Sequence, residues 1–149
     1  MAKFTFSLEA VLRIKMQKEE SVKNELGKAT QKLEAERQKL AKLYDTVEEI
    51  IAEFNKKAKK TTVRKLIEFN EYLSLLDSKI KEQKERVNCA ASYVDKVREE
   101  LLQAVKERKI LEKLKEKKYD EYLLEQKKLE QKANDELVSF KHKVGSVGD

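Results

Sequence analysis

Mostly apolar residues recur every seven positions in the first third of the chain, and they form two interleaved rows. One row runs from Leu12 to Phe54 and the other from Leu8 to Ile50. Such rows are typical of the a and d positions of a coiled coil. A repeat of seven does not match a straight helix of about 3.6 residues per turn, so we expect the helix to wind left-handed around a partner helix.

The same pattern returns later in the chain, with one row from Leu66 to Leu101 and another from Phe69 to Leu111. Between the two patterned segments, the apolar rows stop at a basic stretch of residues 56–65. This stretch contains Thr61 and Thr62, and threonine is a good N-cap residue for a second helix. The sequence therefore predicts a single turn at which the chain folds back on itself.

Folding back at this turn places residues opposite each other when their numbers add up to 123, so that Phe54 faces Phe69 and Leu33 faces Ala90. Small residues face large ones in several layers, which favours interdigitated packing. The predicted seam residues are Leu26, Leu33, Leu40, Leu43, Val47, Ile50, Phe54, Phe69, Leu73, Leu76, Ile80, Val87, Val94 and Val97.

The fold class predicted is all-α, a long antiparallel coiled-coil hairpin of two helices in a single domain covering residues 1–149. Ser7 is a candidate N-cap for helix one, which is expected over about 7–58, followed by a basic turn at 59–62. Helix two is expected over about 63–143, with a tail at 144–149, so that its C-terminal end overhangs helix one beyond Tyr119. The periodicity would also suit an intermolecular dimer, but the short turn favours a hairpin that is monomeric when isolated.

Composition agrees with a thin seam rather than a rounded core, since charged residues make up 42% of the chain and the mean hydropathy is −0.77. The chain has no proline and only three glycines, so little interrupts a helix. With one cysteine, no signal peptide and no long apolar run, we expect a soluble, cytosolic protein without membrane insertion. Cys89 is interpreted as a residue that flanks the seam rather than as a nucleophile.

Residue types that carry catalysis are sparse. The single histidine, His142, excludes a histidine pair for a metal, and no glycine-rich phosphate loop is present. Paired carboxylates such as Glu48 and Glu49 are typical of a solvated helix face. We therefore predict no catalytic residues, no metal site and no cofactor.

The basic stretch accounts for the whole net charge of +6, because it contains six lysines and arginines and no acidic residue. It is interpreted as a solvated turn in preference to a binding patch. Nucleic acid is not an expected partner, since these lysines lack interleaved aromatic residues or a docking motif.

Two features at the chain ends indicate a protein partner. Phe4 and Phe6 precede helix one, where they either fold back onto the seam or form a docking patch. The overhanging part of helix two has an apolar stripe and no intramolecular partner, which favours another protein around it.

Two segments of the chain resemble those of a known family. Residues 6–15 (FSLEAVLRIK), followed by Glu19 and Glu20, resemble the opening of the flagellar export protein FliJ, and residues 66–80 (LIEFNEYLSLLDSKI) resemble the start of that family's second helix. The resemblance implies a non-catalytic component of the flagellar type III protein export apparatus, similar in shape to the central stalk of rotary ATPases. It also implies recruitment from the cytoplasm to the inner face of the cell membrane.

The resemblance further implies two partners, the hexameric flagellar export ATPase and a transmembrane export-gate protein. Tyr72, Leu76 and Lys79 match the family's gate-contacting positions, although Lys79 replaces a small residue and Leu76 is also a seam residue. In that family the terminal ends of the hairpin enter the pore of the ATPase ring. The corresponding ring-binding candidates here are Phe4, Phe6, Leu8, Tyr119, Leu123, Leu137 and Phe140.

Three alternatives remain open from the sequence. The same hairpin could escort export chaperones and their substrates, or it could be the equivalent stalk of a virulence type III secretion system. A homodimeric coiled coil with a nucleic-acid role is the more distant alternative.

Overall fold

Two long helices make up almost all of the protein in a computed structural model that describes residues 3–147. Helix α1 spans Glu9–Lys57, a short 3-10 helix spans Ala58–Lys60, and helix α2 spans Val63–Val147. No strand occurs among these described residues. The all-α prediction of a two-helix hairpin with a longer second helix is confirmed, and α1 and α2 pack against each other.

The turn between the helices is closed by two threonines. The Thr62 hydroxyl accepts a hydrogen bond from the Lys65 backbone N–H at 3.3 Å, and the Thr62 carbonyl accepts one from the Leu66 N–H at 3.1 Å. The Thr61 hydroxyl donates to the Lys57 carbonyl at 2.7 Å. Thr62 is thus the N-cap of α2, as the sequence predicted, and both helix ends at the turn have side-chain partners.

The predicted N-cap of α1 is wrong. The carbonyl of Leu8, not that of Ser7, accepts the first α-helical hydrogen bond, from Leu12 at 2.9 Å, after a turn in which the Glu9 N–H donates to the Phe6 carbonyl at 3.1 Å. This turn buries Phe6, whose side chain is 8% exposed. Burial of a phenylalanine contributes about 1.5–3 kcal/mol, which exceeds the roughly 1 kcal/mol of a serine cap.

Helix α2 continues to Val147, four residues beyond its predicted end. Most of the segment expected to be a tail, from Val144 to Val147, is therefore helical, while Gly148 and Asp149 lie outside the described residues. Gly145 does not adopt a positive φ. It therefore does not form the left-handed C-cap with which glycine often ends a helix, and the helix passes through it.

The chain divides into two units, which we call the turn unit and the terminal unit. The turn unit consists of Glu20–Gln103, and the terminal unit consists of the residues up to Glu19 together with those from Ala104 onward. Each unit contains one part of α1 and one part of α2.

The turn unit has its core along the seam between the helices. Ala29 and Leu33 of α1 form a buried cluster with Ala90 and Val94 of α2, which confirms the predicted facing of small and large residues. At the turn, the rings of Phe54 and Phe69 stack with centroids 3.9 Å apart. The predicted register is therefore present both near the turn and farther along the unit.

All fourteen predicted seam residues are buried or half-buried, and nine belong to the half-buried class. Because only two helices contact each other, most seam residues keep one edge in solvent. The two least exposed are Val97 at 1% and Val94 at 2%. The half-buried residues are Leu26, Leu40, Leu43, Val47, Ile50, Phe54, Phe69, Leu73 and Val87.

One layer of the turn-unit seam is polar. Gln83 is 7% exposed, and its side-chain amide donates to the Glu36 carbonyl oxygen at 2.9 Å and to the Glu36 carboxylate. The hydrogen bond from Gln83 lowers the pKa of Glu36, with a further contribution from the nearby Lys39. Gln83 thus meets the requirement that a buried amide be hydrogen-bonded.

Candidate protein-binding surfaces

An aromatic cluster joins the chain start to α2 in the terminal unit. The ring of Phe4 lies 5.2 Å from that of Tyr119 and 5.5 Å from that of Tyr122, measured between centroids. Of the two hypotheses for Phe4, the fold-back is the one the structure adopts. Tyr122 was missed by the sequence analysis, although its position one turn after Tyr119 places both rings on one helix face.

Ion pairs hold the same two segments together. Lys115 Nζ lies 2.8 Å from a Glu9 carboxylate oxygen, and Lys15 Nζ lies 3.0 Å from one of Glu107. These side chains are partly exposed, so each pair contributes little to stability on its own. Their effect is to place opposite charges of α1 and α2 next to each other.

A buried carboxylate lies beside Arg108 in the terminal unit. Glu19 is only 7% exposed and accepts a hydrogen bond from Arg108. Arg108 Nη1 also donates to Glu112 at 2.7 Å. These two carboxylates, Glu112 foremost, raise the pKa of Arg108. The sequence analysis missed Glu112, which is four residues after Arg108 and therefore on the same helix face.

Beyond Tyr122, α2 is exposed to solvent. Among residues 123–145, Gln126 alone is half-buried and all others are exposed. Large apolar side chains are nevertheless frequent in this segment, which we call the exposed α2 segment. They are Leu123, Leu124, Leu129, Leu137, Val138, Phe140 and Val144, each between 47% and 67% exposed. Large apolar side chains exposed at this frequency are typical of a segment that binds a partner.

The seven ring-binding candidates fall into different environments. Phe6 is buried at 8%, and Phe4 is half-buried in the aromatic cluster. The five that present apolar surface to solvent are Leu8, Tyr119, Leu123, Leu137 and Phe140. The structure brings Phe4 and Tyr119 together, while Leu137 and Phe140 lie in the exposed α2 segment.

The three gate-binding candidates on α2 also differ in how far their side chains are exposed. Leu76 is a seam residue at 3% exposure, whereas Tyr72 is 45% exposed and Lys79 is also exposed. Tyr72 and Lys79 are seven residues apart, which places them on the same face two turns from each other. A partner could touch these two side chains without disturbing the seam.

The flank of the turn unit carries a further polar contact. The Tyr93 hydroxyl donates a hydrogen bond to the Glu25 carboxylate, and this bond raises the pKa of Tyr93. Cys89 is exposed nearby, beside the buried Ala90. The hydrogen bond between Tyr93 and Glu25 joins α1 to α2 outside the apolar seam.

Within residues 3–147, no group of three or more histidine, cysteine, aspartate or glutamate side chains is placed to hold a metal ion. No helix in this part of the chain is long and apolar enough to span a membrane.

Comparison with protein-family models gives a match over most of the chain. The model described as "Flagellar FliJ protein" matches residues 4–145, which is nearly the whole chain. A search of curated proteins found no match, and a search of solved structures found none.

Proposed function

Because this chain belongs to the flagellar FliJ protein family, and is thus a component of the flagellar export apparatus, we propose that it acts as a stalk. In this proposal the protein binds the hexameric export ATPase, promotes assembly and activity of the ATPase ring, and couples the ring to the export gate. It contributes binding surfaces, while the ATPase hydrolyses the nucleotide. It works in the cytoplasm and is recruited to the inner face of the membrane by its partners.

The observation that supports ring binding is the exposed α2 segment. Its seven large apolar side chains are open to solvent, and none of them is buried by α1. A protein cavity that surrounds a single helix would cover such a surface from all sides and would gain the free energy of apolar burial. The aromatic cluster of Phe4, Tyr119 and Tyr122 fastens the chain start to α2 just before this segment.

The first test measures hydrolysis by the export ATPase with the full chain and with a chain truncated after Tyr122. We expect the full chain to stimulate hydrolysis and the truncated chain to lose most of the stimulation. The cut leaves the aromatic cluster intact, so a circular dichroism melt of the truncated chain controls for folding. Full stimulation by a well-folded truncated chain would refute ring binding through this segment.

A finer test replaces only two side chains of the exposed α2 segment. Leu137→Ser with Phe140→Ser removes apolar surface, whereas Glu130→Ser with Gln131→Ser changes polar residues of the same exposed helix. We expect the first double variant to reduce stimulation and the second to leave it near the original level. Equal loss in both would indicate that the change in helix propensity, and not the apolar contact, is responsible.

Gate coupling is assigned to Tyr72 and Lys79. Both side chains are exposed on one face of α2, whereas the side chain of Leu76, between them in the sequence, is buried in the seam. Tyrosine and lysine together offer an aromatic ring, a hydroxyl group and a charge, which suits a polar protein interface. Tyr72→Ala is expected to weaken binding to the cytoplasmic part of the export-gate protein in a pull-down, while Leu75→Ala, an exposed neighbour, is expected to retain it.

An escort for export chaperones would give a different result in the same assays. Such a protein would bind chaperones but would leave the rate of ATP hydrolysis unchanged. Stimulation of the ATPase by the full chain therefore separates the stalk from the escort.

A further inference from the structure

A lysine-rimmed cavity lies at the turn, within the turn unit. Its volume is about 710 Å³, within the roughly 300–1,000 Å³ typical of ligand-binding clefts. The stacked rings of Phe54 and Phe69 form its floor together with Ile50. All three are half-buried, so part of each side chain is accessible to solvent.

The rim of this turn cavity is strongly basic. Five lysines line it, and four of them have no ion pair or hydrogen bond through their side chains within residues 3–147. The fifth, Lys57, lies 3.8 Å from Glu53, which is the one carboxylate on the wall. The four unpaired lysines are Lys56, Lys59, Lys60 and Lys65.

We propose that the turn cavity binds an acidic protein segment that inserts an apolar side chain between the lysines. Carboxylates of the segment would pair with the rim, and the inserted side chain would cover the Phe54–Phe69 floor. This site is independent of the proposed contacts with the ATPase ring and the gate, since it shares no residue with them.

Charge and shape together favour this partner. The basic stretch contains the entire net charge of the chain, so its positive potential favours an acidic partner over a neutral one. A nucleic acid would satisfy the lysines but has no apolar side chain for the floor, and Phe54 and Phe69 already stack on each other. A flat bilayer would likewise meet the rim without entering the cavity.

The test measures binding of the full chain to a fluorescent polyglutamate peptide with one central phenylalanine. A second peptide has alanine in place of the phenylalanine. We expect the phenylalanine peptide to bind several-fold more tightly than the alanine peptide, and raising the salt concentration to weaken both. Equal affinity for the two peptides would overturn insertion into the cavity.

The protein variants locate the site. Lys59→Glu with Lys60→Glu reverses two exposed rim charges, and Lys106→Glu with Lys109→Glu makes the same charge change at exposed positions elsewhere. We expect about a tenfold or greater loss of peptide affinity in the first double variant and a much smaller loss in the second. Equal losses would show that overall charge, not the cavity, governs binding and would overturn the proposal.

Two further probes exclude other macromolecules. The chain is mixed with vesicles containing phosphatidylserine and with a DNA duplex, each competing with the phenylalanine peptide. We expect the peptide to remain bound when the concentration of phosphate groups equals the concentration of glutamate residues in the peptide. Displacement by the vesicles or by the duplex under these conditions would assign the cavity to a membrane or to nucleic acid instead.

Discussion

Two adjacent leucines of α2 show how much a single position matters in a two-helix seam. Leu76 is 3% exposed and Leu75 is 51% exposed, although both belong to one continuous helix. Their chemical identity is the same, and the seven-residue repeat alone distinguishes them. Residue 76 falls on the seam, and residue 75 falls beside it.

This pair yields a direct prediction for stability. Leu76→Ala is expected to lower the free energy of unfolding by about 2–5 kcal/mol, because it leaves a cavity in the seam. Leu75→Ala is expected to change it by no more than about 0.5 kcal/mol. Urea unfolding followed by circular dichroism measures both, and similar effects in the two variants would contradict the seam assignment.

The polar layer of Gln83 and Glu36 makes stability depend on pH. Because the Gln83 amide donates to the carboxylate, the pKa of Glu36 lies below its ordinary value of 4.5. A carboxyl group with a lowered pKa in the folded state stabilises the fold above about pH 4.5, and this contribution is lost as the pH falls through the lowered pKa.

We expect a carbon NMR titration of the Glu36 carboxyl group to give a midpoint below 4.5. In Gln83→Leu the midpoint should move upward, since the largest cause of the lowering is removed. Gln31→Leu changes an exposed glutamine on α1 and should leave the titration as it is. An unchanged midpoint in Gln83→Leu would show that the lysine and arginine charges around Glu36 govern its pKa.

The helices themselves form for reasons that differ along their length. In the turn unit, the seam supplies tertiary burial, which stabilises helices more than intrinsic propensity does. In the exposed α2 segment this burial is absent, and the helix depends on good helix formers such as Leu, Lys, Glu and Gln. The difference explains why sequence patterning locates the seam but not the end of α2.

Gly27 is a weak position within α1. It lies in the helix interior without a positive φ, and a Cβ atom built there would have no atom within 4 Å. Gly27→Ala is therefore expected to raise the free energy of unfolding by about 0.5–1 kcal/mol. The reverse change at an exposed position of the same helix, Ala35→Gly, should lower it by a similar amount, and thermal melts compare the two. A lower stability of Gly27→Ala would indicate that the glycine is needed in a conformation other than this helix.

For the whole molecule, the central question is whether α1 packs against a helix of the same chain or of a second chain. The stacking of Phe54 on Phe69 and the cluster of Ala29, Leu33, Ala90 and Val94 supply a partner from the same chain. A second chain is not needed to cover the seam of the turn unit.

We accordingly expect the isolated protein to have the mass of one chain, 17.5 kDa. Light scattering coupled to size-exclusion chromatography over a range of concentrations tests this expectation. A mass of two chains at every concentration would show that α1 pairs between molecules. A mass that rises only at high concentration would place the association on the exposed α2 segment, and the truncation after Tyr122 would then remove it.

The helical class, the position of the turn and the register of the seam could all be predicted from the amino-acid sequence. Each of these follows from local or periodic signals: the heptad rows, the absence of proline, and a threonine N-cap that Thr62 provides. The tertiary structure alone decided where the chain start lies, because Phe4 reaches Tyr119 and Tyr122 across more than a hundred residues. It also decided that α1 begins at Glu9, with Leu8 rather than Ser7 accepting the first helical hydrogen bond, because the burial of Phe6 is a property of the folded chain.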